Sequence, residues 1–248
     1  MESENKEWLR PKLVAPWQEI VLVLMMTVGW PVVRSAWGAF HGTSTRYMMG
    51  LILTDSHMVY YVAFEGALLA ALFAIVHWRG WTVADFRIKP DWRSTFQGIL
   101  LAPFMAITNS VTIAVALVFG FLFQTTFKQF HPFVLSHSQH LLPHSIHLGW
   151  WSLILAMTLN AFYEEIAFMG YAFNQFAAKR GTTFALVVTV LLRMSFHSYQ
   201  GPFHVLGIGA VFFLTSLAYC RTRNLWPLIL AHIIVDVGIV GFVKIWYG

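Results

Sequence analysis

Long apolar stretches separated by short polar segments dominate this chain. Seven of the stretches are each ~20 residues long, the length that an α-helix needs to cross the hydrocarbon core of a bilayer. The pattern predicts an all-α, polytopic transmembrane helix bundle with about seven spans. The predicted spans are residues 17–33, 58–78, 96–123, 150–176, 182–197, 203–219 and 225–246. Apolar residues between Arg46 and Asp55 leave an eighth segment open.

Three local features refine this pattern. Pro103 lies inside the third stretch, so we expect that helix to be tilted or broken there. Residues 79–97 mix basic residues with Trp and Phe, which is typical either of an amphipathic helix on the membrane surface or of an ordinary loop. Gly201 and Pro202 lie between the fifth and sixth stretches, so a tight reversal is expected there.

Composition supports a membrane protein and excludes a soluble domain. The 248 residues are 58% hydrophobic and 11% charged, whereas ~25% of the residues of a soluble domain are charged. The net charge of +5 is not read as nucleic-acid binding, because basic residues in membrane proteins mark cytoplasmic loops. The single Cys220 excludes an intrachain disulfide.

The distribution of Lys and Arg predicts the orientation of the bundle. With the N-terminus in the cytoplasm, eleven basic residues fall inside and four outside, while Arg193 lies within a span. This excess supports a cytoplasmic N-terminus under the positive-inside rule. We expect an integral membrane protein, and the compact chain suggests a prokaryotic plasma membrane.

Two regions are expected within one integral bundle. Residues 1–149 carry the N-terminal spans, the cytoplasmic linker and an outer loop rich in His, and residues 150–248 carry the chemically informative spans. The outer loop contains His131, His137, His140, His144 and His147. Four of these share a helical spacing that would suit a transition metal, but Pro143 interrupts any continuous helix and no Cys, Asp or Glu accompanies them. We interpret the region as an interfacial loop with some pH sensitivity.

Ionisable residues inside the predicted spans are the candidate functional residues. A charged side chain at the bilayer centre costs about 2.5–3.5 kcal/mol on insertion scales, so such residues have partners or perform chemistry. Adjacent Glu164 and Glu165 are ~100° apart on an ideal helix and must point in different directions. The other members of the set are Glu65, Arg193, His197, His232 and Asp236.

The spacing of these residues favours a shared interior site. Arg193 and His197 are four residues apart, as are His232 and Asp236, so each pair occupies one helix face. A buried Glu that activates water, assisted by one His and by an oxyanion-stabilising pair, would support peptide hydrolysis. The residue types alone leave a zinc protease and a proton-coupled transporter open as well.

Three short motifs resemble those of the CAAX protease and bacteriocin-processing family, also called the Abi family. Glu164-Glu165 with the continuation Met169-Gly170-Tyr171 looks like the first motif. Arg193 to His197 resembles the second, and His232 to Asp236 resembles the third. The motifs occur in the order of the family, and the resemblance covers roughly residue 150 to the C-terminus.

The resemblance implies an intramembrane glutamate-type endopeptidase that requires no metal or other cofactor. Glu164 would activate water, His197 would assist it, and Glu165 would be the supporting acid. His232 and Asp236 would stabilise the oxyanion. The implied partners are a peptide or protein substrate and the lipid bilayer, without nucleic acid. The oligomeric state stays open.

Two positions differ from the family pattern. Met169 stands where the first motif has Arg, and Arg193 stands where the second motif has Phe. Because a buried Glu165 would otherwise lack a cation, we predict that Arg193 reaches it from the neighbouring helix. The absence of the motif Arg also motivates an alternative, in which the chain is a non-catalytic member that binds a peptide or partner.

Overall fold

Helices make up nearly all of the structure, a computed structural model that describes residues 13–40, 54–126 and 148–247. No β-strand occurs in these ranges, and the predicted all-α fold is confirmed. The helices are α1 (Trp17–Leu24), α2 (Trp30–Phe40), α3 (Asp55–Trp78), α4 (Trp92–Thr126), α5 (Trp150–Glu164), α6 (Asn174–Arg180), α7 (Thr182–Phe196), α8 (Pro202–Thr222) and α9 (Trp226–Tyr247). Short 3₁₀-helices cover Val83–Phe86 and Ser198–Gln200.

Five helical segments of the described residues are long and apolar enough to cross a membrane. They are Trp17–Trp37, Asp55–Trp78, Trp92–Gly120, Trp150–Arg180 and Phe203–Thr222. The apolar helices Thr182–Phe196 and Trp226–Phe242 are shorter. Each predicted span therefore corresponds to a helix, while the number of true crossings and the side of the N-terminus stay predictions.

Several sequence predictions stay untested. The candidate eighth segment and the His-rich loop both lie outside the described residues. The division of the chain after residue 149 also stays a prediction.

The third span is a single helix that is not broken at Pro103. Helix α4 continues through this residue from Trp92 to Thr126. A proline inside a helix removes one backbone hydrogen bond, and the exposed position of Pro103 on the helix surface leaves its ring clear of the bundle core.

The segment between α3 and α4 does not form the amphipathic surface helix that we considered. It forms one 3₁₀-turn, Val83–Phe86, closed by a capping box between Thr82 and Asp85. Trp81 and Phe86 are buried, and their ring centroids lie 5.2 Å apart. The two rings bury more apolar surface against the bundle than they would on the membrane surface, which explains the difference.

Basic residues of the described loops gather at one end of the bundle. Arg79, after α3, donates hydrogen bonds from Nε to the Glu19 carboxylate at 2.5 and 2.7 Å, and these bonds raise the Arg79 pKa. The Lys179 ammonium lies 5.4 Å from the ring centroid of Trp17. Asn224 exchanges two hydrogen bonds with the backbone of Lys89, which ties the α3–α4 connection to the turn between α8 and α9.

An apolar layer between three helices leads directly to the candidate site. Met58 of α3, together with Leu153 and Ala156 of α5, forms a buried cluster against which Val240 of α9 packs. Polar residues occupy the same helix faces in the next turns of α3 and α5 and in the preceding turn of α9. Residues three, four and seven apart align on one face of a helix. These polar residues are Glu65, Asn160, Glu164, His232 and Asp236.

Two π-helices flank the core of the site. One covers Glu165–Phe173 between α5 and α6, and all nine of its residues are buried. The other covers Met25–Gly29 between α1 and α2. The Tyr163 hydroxyl, near the end of α5, donates a buried hydrogen bond to the Thr27 carbonyl oxygen, which ties the first π-helix segment of the chain to α5. Such segments often occur at functional sites.

Candidate active site

The Glu165 carboxylate is the hub of the buried polar network. Its Oε1 lies 2.8 Å from Arg193 Nη2 and 3.0 Å from His232 Nδ1. The side chains of Glu165 and Arg193 are each 2% exposed. The contact between Arg193 and Glu165 that we predicted is therefore present, and it crosses from the π-helix to α7.

Two aromatic rings hold the Arg193 guanidinium. Its Cζ atom lies 3.8 Å from the ring centroid of Phe212 and 4.9 Å from that of Phe168. An aromatic face attracts a cation through its quadrupole, and the attraction grows when water is excluded. Met169, at the position of the family arginine, is buried and accepts a weak hydrogen bond from the Ser216 hydroxyl instead.

Glu164 points away from Glu165 and faces His197 at the end of α7. His197 Nε2 lies 3.4 Å from Glu164 Oε2. The distance is that of an ion pair, but neither atom has a hydrogen-bond partner within the described part of the chain. The other ring nitrogen, Nδ1, lies 3.4 Å from Gln200 Nε2. The amide can only donate, which makes Nδ1 the acceptor and places the ring proton on Nε2, toward Glu164.

His232 joins Glu165 to Asp236. Its Nε2 lies 3.3 Å from Asp236 Oδ2, so both ring nitrogens face carboxylates. The amide of Asn160, on α5, donates from Nδ2 to the same Asp236 oxygen at 3.3 Å. The Asp236 side chain is 24% exposed, against 2% for Glu165. The Asn160–Asp236 side is thus the more open side of the network.

Glu65 of α3 adds a further buried carboxyl group. It is 5% exposed and close enough to Glu164, Asp236 and His232 to interact with their charges. Helices α3 and α5 are in contact beside it, since a β-carbon on the neighbouring Gly66 would lie at ordinary van der Waals distance, 3.7 Å, from Leu159 Cδ2. Four acidic residues therefore share this region with one guanidinium and two imidazoles.

All six residues singled out from the sequence as site residues meet in this network. Glu164 and Glu165 come from the end of α5 and the π-helix, Arg193 and His197 from the end of α7, and His232 and Asp236 from α9. Their catalytic roles stay predictions. No group of three or more His, Cys, Asp or Glu side chains in residues 13–40, 54–126 and 148–247 is arranged to hold a metal ion.

Sequence reasoning missed several parts of the site. Asn160 precedes Glu164 by four residues and so shares its helix face, but its contact with Asp236 depends on how α5 and α9 pack. Gln200 stood beside the second motif without an assigned role. Phe168 and Phe212, whose rings lie against the Arg193 guanidinium, were not singled out from the sequence.

Comparison with known proteins agrees with the motifs. Residues 146–238 match the model of the family described as type II CAAX prenyl endopeptidase Rce1-like. The matched region contains the six predicted site residues and Asn160, and it ends before the last turns of α9. Searches of curated proteins and of solved structures returned no significant match. The resemblance to the CAAX protease family is confirmed, and it points to a protease.

Proposed function

We propose that this chain is an intramembrane endopeptidase that cleaves a peptide bond near the membrane through a water molecule activated by Glu164. Its residues 146–238 match the model of the Rce1-like type II CAAX prenyl endopeptidases. The observation that carries the proposal is the Glu164–His197 pair. Two buried groups, a carboxylate oxygen and an imidazole nitrogen, face each other at 3.4 Å without forming a hydrogen bond.

The pair has the chemistry of a general base with an assisting group. Glu164 takes a proton from the attacking water, the water oxygen bonds to the carbonyl carbon, and the carbonyl oxygen becomes the oxyanion. When the C–N bond breaks, the proton on Glu164 passes to the leaving amine. His197, oriented by Gln200, donates from Nε2 and holds the water against Glu164. General acid–base groups of this kind contribute about 10²–10⁴-fold to a rate.

The Glu165–Arg193–His232 cluster supports this chemistry by fixing the helices. Arg193 compensates the buried charge of Glu165, and His232 links Glu165 to Asp236. Arg193 supplies the cation that the first motif lacks, and this contact favours a catalytic role over the non-catalytic alternative. We retain the prediction that His232 and Asp236 lie at the oxyanion.

The substrate class follows from the family description. We propose a peptide that ends in a CAAX-type sequence with a prenylated cysteine, presented from the bilayer. The test uses the purified chain in liposomes with a farnesylated, fluorescence-quenched peptide of that type. Glu164→Gln, which keeps the size of the side chain and removes the base, should lower kcat by about 10²–10⁴-fold.

The matched control is Glu19→Gln, which removes a carboxylate at the basic end of the bundle, where it binds Arg79. We expect it to retain the wild-type kcat. Cleavage by Glu164→Gln at the wild-type rate would overturn the proposal. A second arm adds a strong chelator to the wild-type protein. Retained cleavage supports the glutamate mechanism, and loss restored by Zn²⁺ supports the zinc alternative.

A further inference from the structure

Asp236, when ionised, cannot donate the hydrogen bond that would stabilise the oxyanion of the proposed reaction. An ionised carboxylate accepts hydrogen bonds and cannot donate one. His232, its partner in the third motif, has both ring nitrogens directed at carboxylates, with Nδ1 3.0 Å from Glu165 and Nε2 3.3 Å from Asp236. The motif pair as it stands in this structure therefore does not aim an N–H group at a developing negative charge.

Asn160 lies where a donor is needed. Its Nδ2 donates one hydrogen to Asp236 Oδ2 at 3.3 Å. A carboxamide nitrogen carries two hydrogens, so the second remains for another acceptor. The contact with Asp236 also determines the orientation of the amide, because a carboxylate can bind only its nitrogen side.

The position of Asn160 relative to the base suits this role. Asn160 and Glu164 are four residues apart on one face of α5, which separates them by about 6 Å along the helix axis. That interval fits an attacking water beside Glu164 and a carbonyl oxygen beside Asn160. Asn160 is only partly buried, and its partner Asp236 is 24% exposed, so a substrate can approach from this side.

On these grounds we propose that Asn160 is a catalytic residue that donates a hydrogen bond from Nδ2 to the oxyanion of the tetrahedral intermediate, while Asp236 and His232 hold it in place. The proposal rests on the proposed peptidase function. Asn160 on α5 thereby provides the donor that an ionised Asp236 cannot provide, much as Arg193 on α7 provides the cation that the first motif lacks.

The first test separates transition-state binding from substrate binding. Asn160→Ala should lower kcat on the farnesylated peptide by about 10²–10³-fold, the usual loss for one oxyanion donor. KM should change little, because the contact forms only as charge develops. Asn109→Ala is the matched control, since this asparagine lies on α4 against Gly207, away from the network, and its Oδ1 has no hydrogen-bond partner in the part of the chain described.

A swap of the two side chains distinguishes donation from simple packing. Asn160→Asp alone puts two carboxylates together and should be as inactive as Asn160→Ala. Adding Asp236→Asn to it restores one amide and one carboxylate at the same place, and should recover activity to within about 10-fold of the wild type, because one donor is again present. Wild-type kcat in Asn160→Ala, or a double variant as inactive as Asn160→Asp, would overturn the role of Asn160.

The final measurement does not depend on turnover. A peptidyl phosphonate mimics the tetrahedral intermediate, and its affinity for Asn160→Ala should fall in proportion to kcat/KM. Equal affinity in the wild type and Asn160→Ala overturns the assignment even if the protein proves inactive on the CAAX peptide. If instead Glu164→Gln cleaves normally while Asn160→Ala loses phosphonate affinity, the Glu164 mechanism fails and the oxyanion role stands.

Discussion

At the scale of single residues, the site shows how one side chain can replace another across a helix interface. The family pattern places an arginine four residues after the second Glu, and this chain has Met169 there. Arg193 approaches from α7, pairs with Glu165 at 2.8 Å and lies between Phe168 and Phe212. What the site requires is a cation at Glu165, and more than one backbone position can deliver it.

This replacement predicts a specific loss and rescue. Arg193→Met leaves the buried Glu165 without its cation, and breaking a buried ion pair in this way costs about 3–5 kcal/mol. We expect a lower melting temperature and loss of peptide cleavage. Adding Met169→Arg, which returns the cation to the motif position, should restore part of both.

The measurement is thermal unfolding followed by Trp fluorescence in detergent, together with the cleavage assay. Arg180→Met is a suitable control, because Arg180 is an exposed arginine at the end of α6. An Arg193→Met protein as stable and active as the wild type would show that the ion pair is dispensable.

At the scale of helices, the closest approaches depend on glycine. Helix α4 packs against the start of α9 at Gly98, where an added β-carbon would lie 3.0 Å from both the Pro227 carbonyl oxygen and Leu230 Cβ. A backbone oxygen and a β-carbon cannot move aside as the end of a flexible side chain can. Small residues at helix interfaces in membranes allow such backbone contact.

Gly98→Ala should therefore destabilise the bundle by about 1–3 kcal/mol, the usual cost of overpacking. Gly238→Ala, on α9, is the control, because no atom lies within 4 Å of its added β-carbon. That variant should be neutral or stabilising by up to about 1 kcal/mol, since Ala is the better helix former. The test measures the free energy of unfolding of both variants in mixed micelles. Equal values would refute the conclusion that Gly98 is needed for the close packing of α4 and α9.

The helices also show which parts of the fold could be predicted from the sequence. The apolar stretches predicted each helix, because the length of a span and its hydrophobicity are local properties. The π-helix Glu165–Phe173 was not predictable, since its residues are compatible with an ordinary helix and its geometry depends on packing. Trp81 and Phe86 carried the pattern of a surface helix, but the bundle offered them a buried position.

The candidate site, like the fold, could be predicted from the sequence only in part. The motifs identified the ionisable residues because charges in apolar spans are few. The Arg193–Glu165 contact could be inferred because a buried acid needs a cation. Asn160 could not be assigned, because a neutral amide in a span carries no such electrostatic demand, and its contact with Asp236 appears only once α5 and α9 are packed.

At the scale of the whole molecule, the described basic residues outside the site separate into two ends. Arg79, Lys89 and Lys179 lie at the end where α3 meets α4 and α6 meets α7. At the opposite end, Asp55 of α3 accepts a hydrogen bond from the backbone N–H of Gly149 at 2.7 Å, and the Lys244 ammonium lies 5.4 Å from the Trp150 ring centroid. The first end is the more basic and should face the cytoplasm.

Accessibility of single cysteines tests this orientation. In a Cys220→Ser background, Lys89→Cys and Ala178→Cys should react with a membrane-impermeant maleimide only after the cells are permeabilised, because both positions lie at the basic end. Ser56→Cys, an exposed position at the opposite end of α3, should react in intact cells. The reverse pattern would place the N-terminus outside. If Lys89→Cys and Ala178→Cys are labelled differently, the chain crosses the bilayer an odd number of times between them. That result would refute the predicted number of spans, whatever the orientation of the bundle.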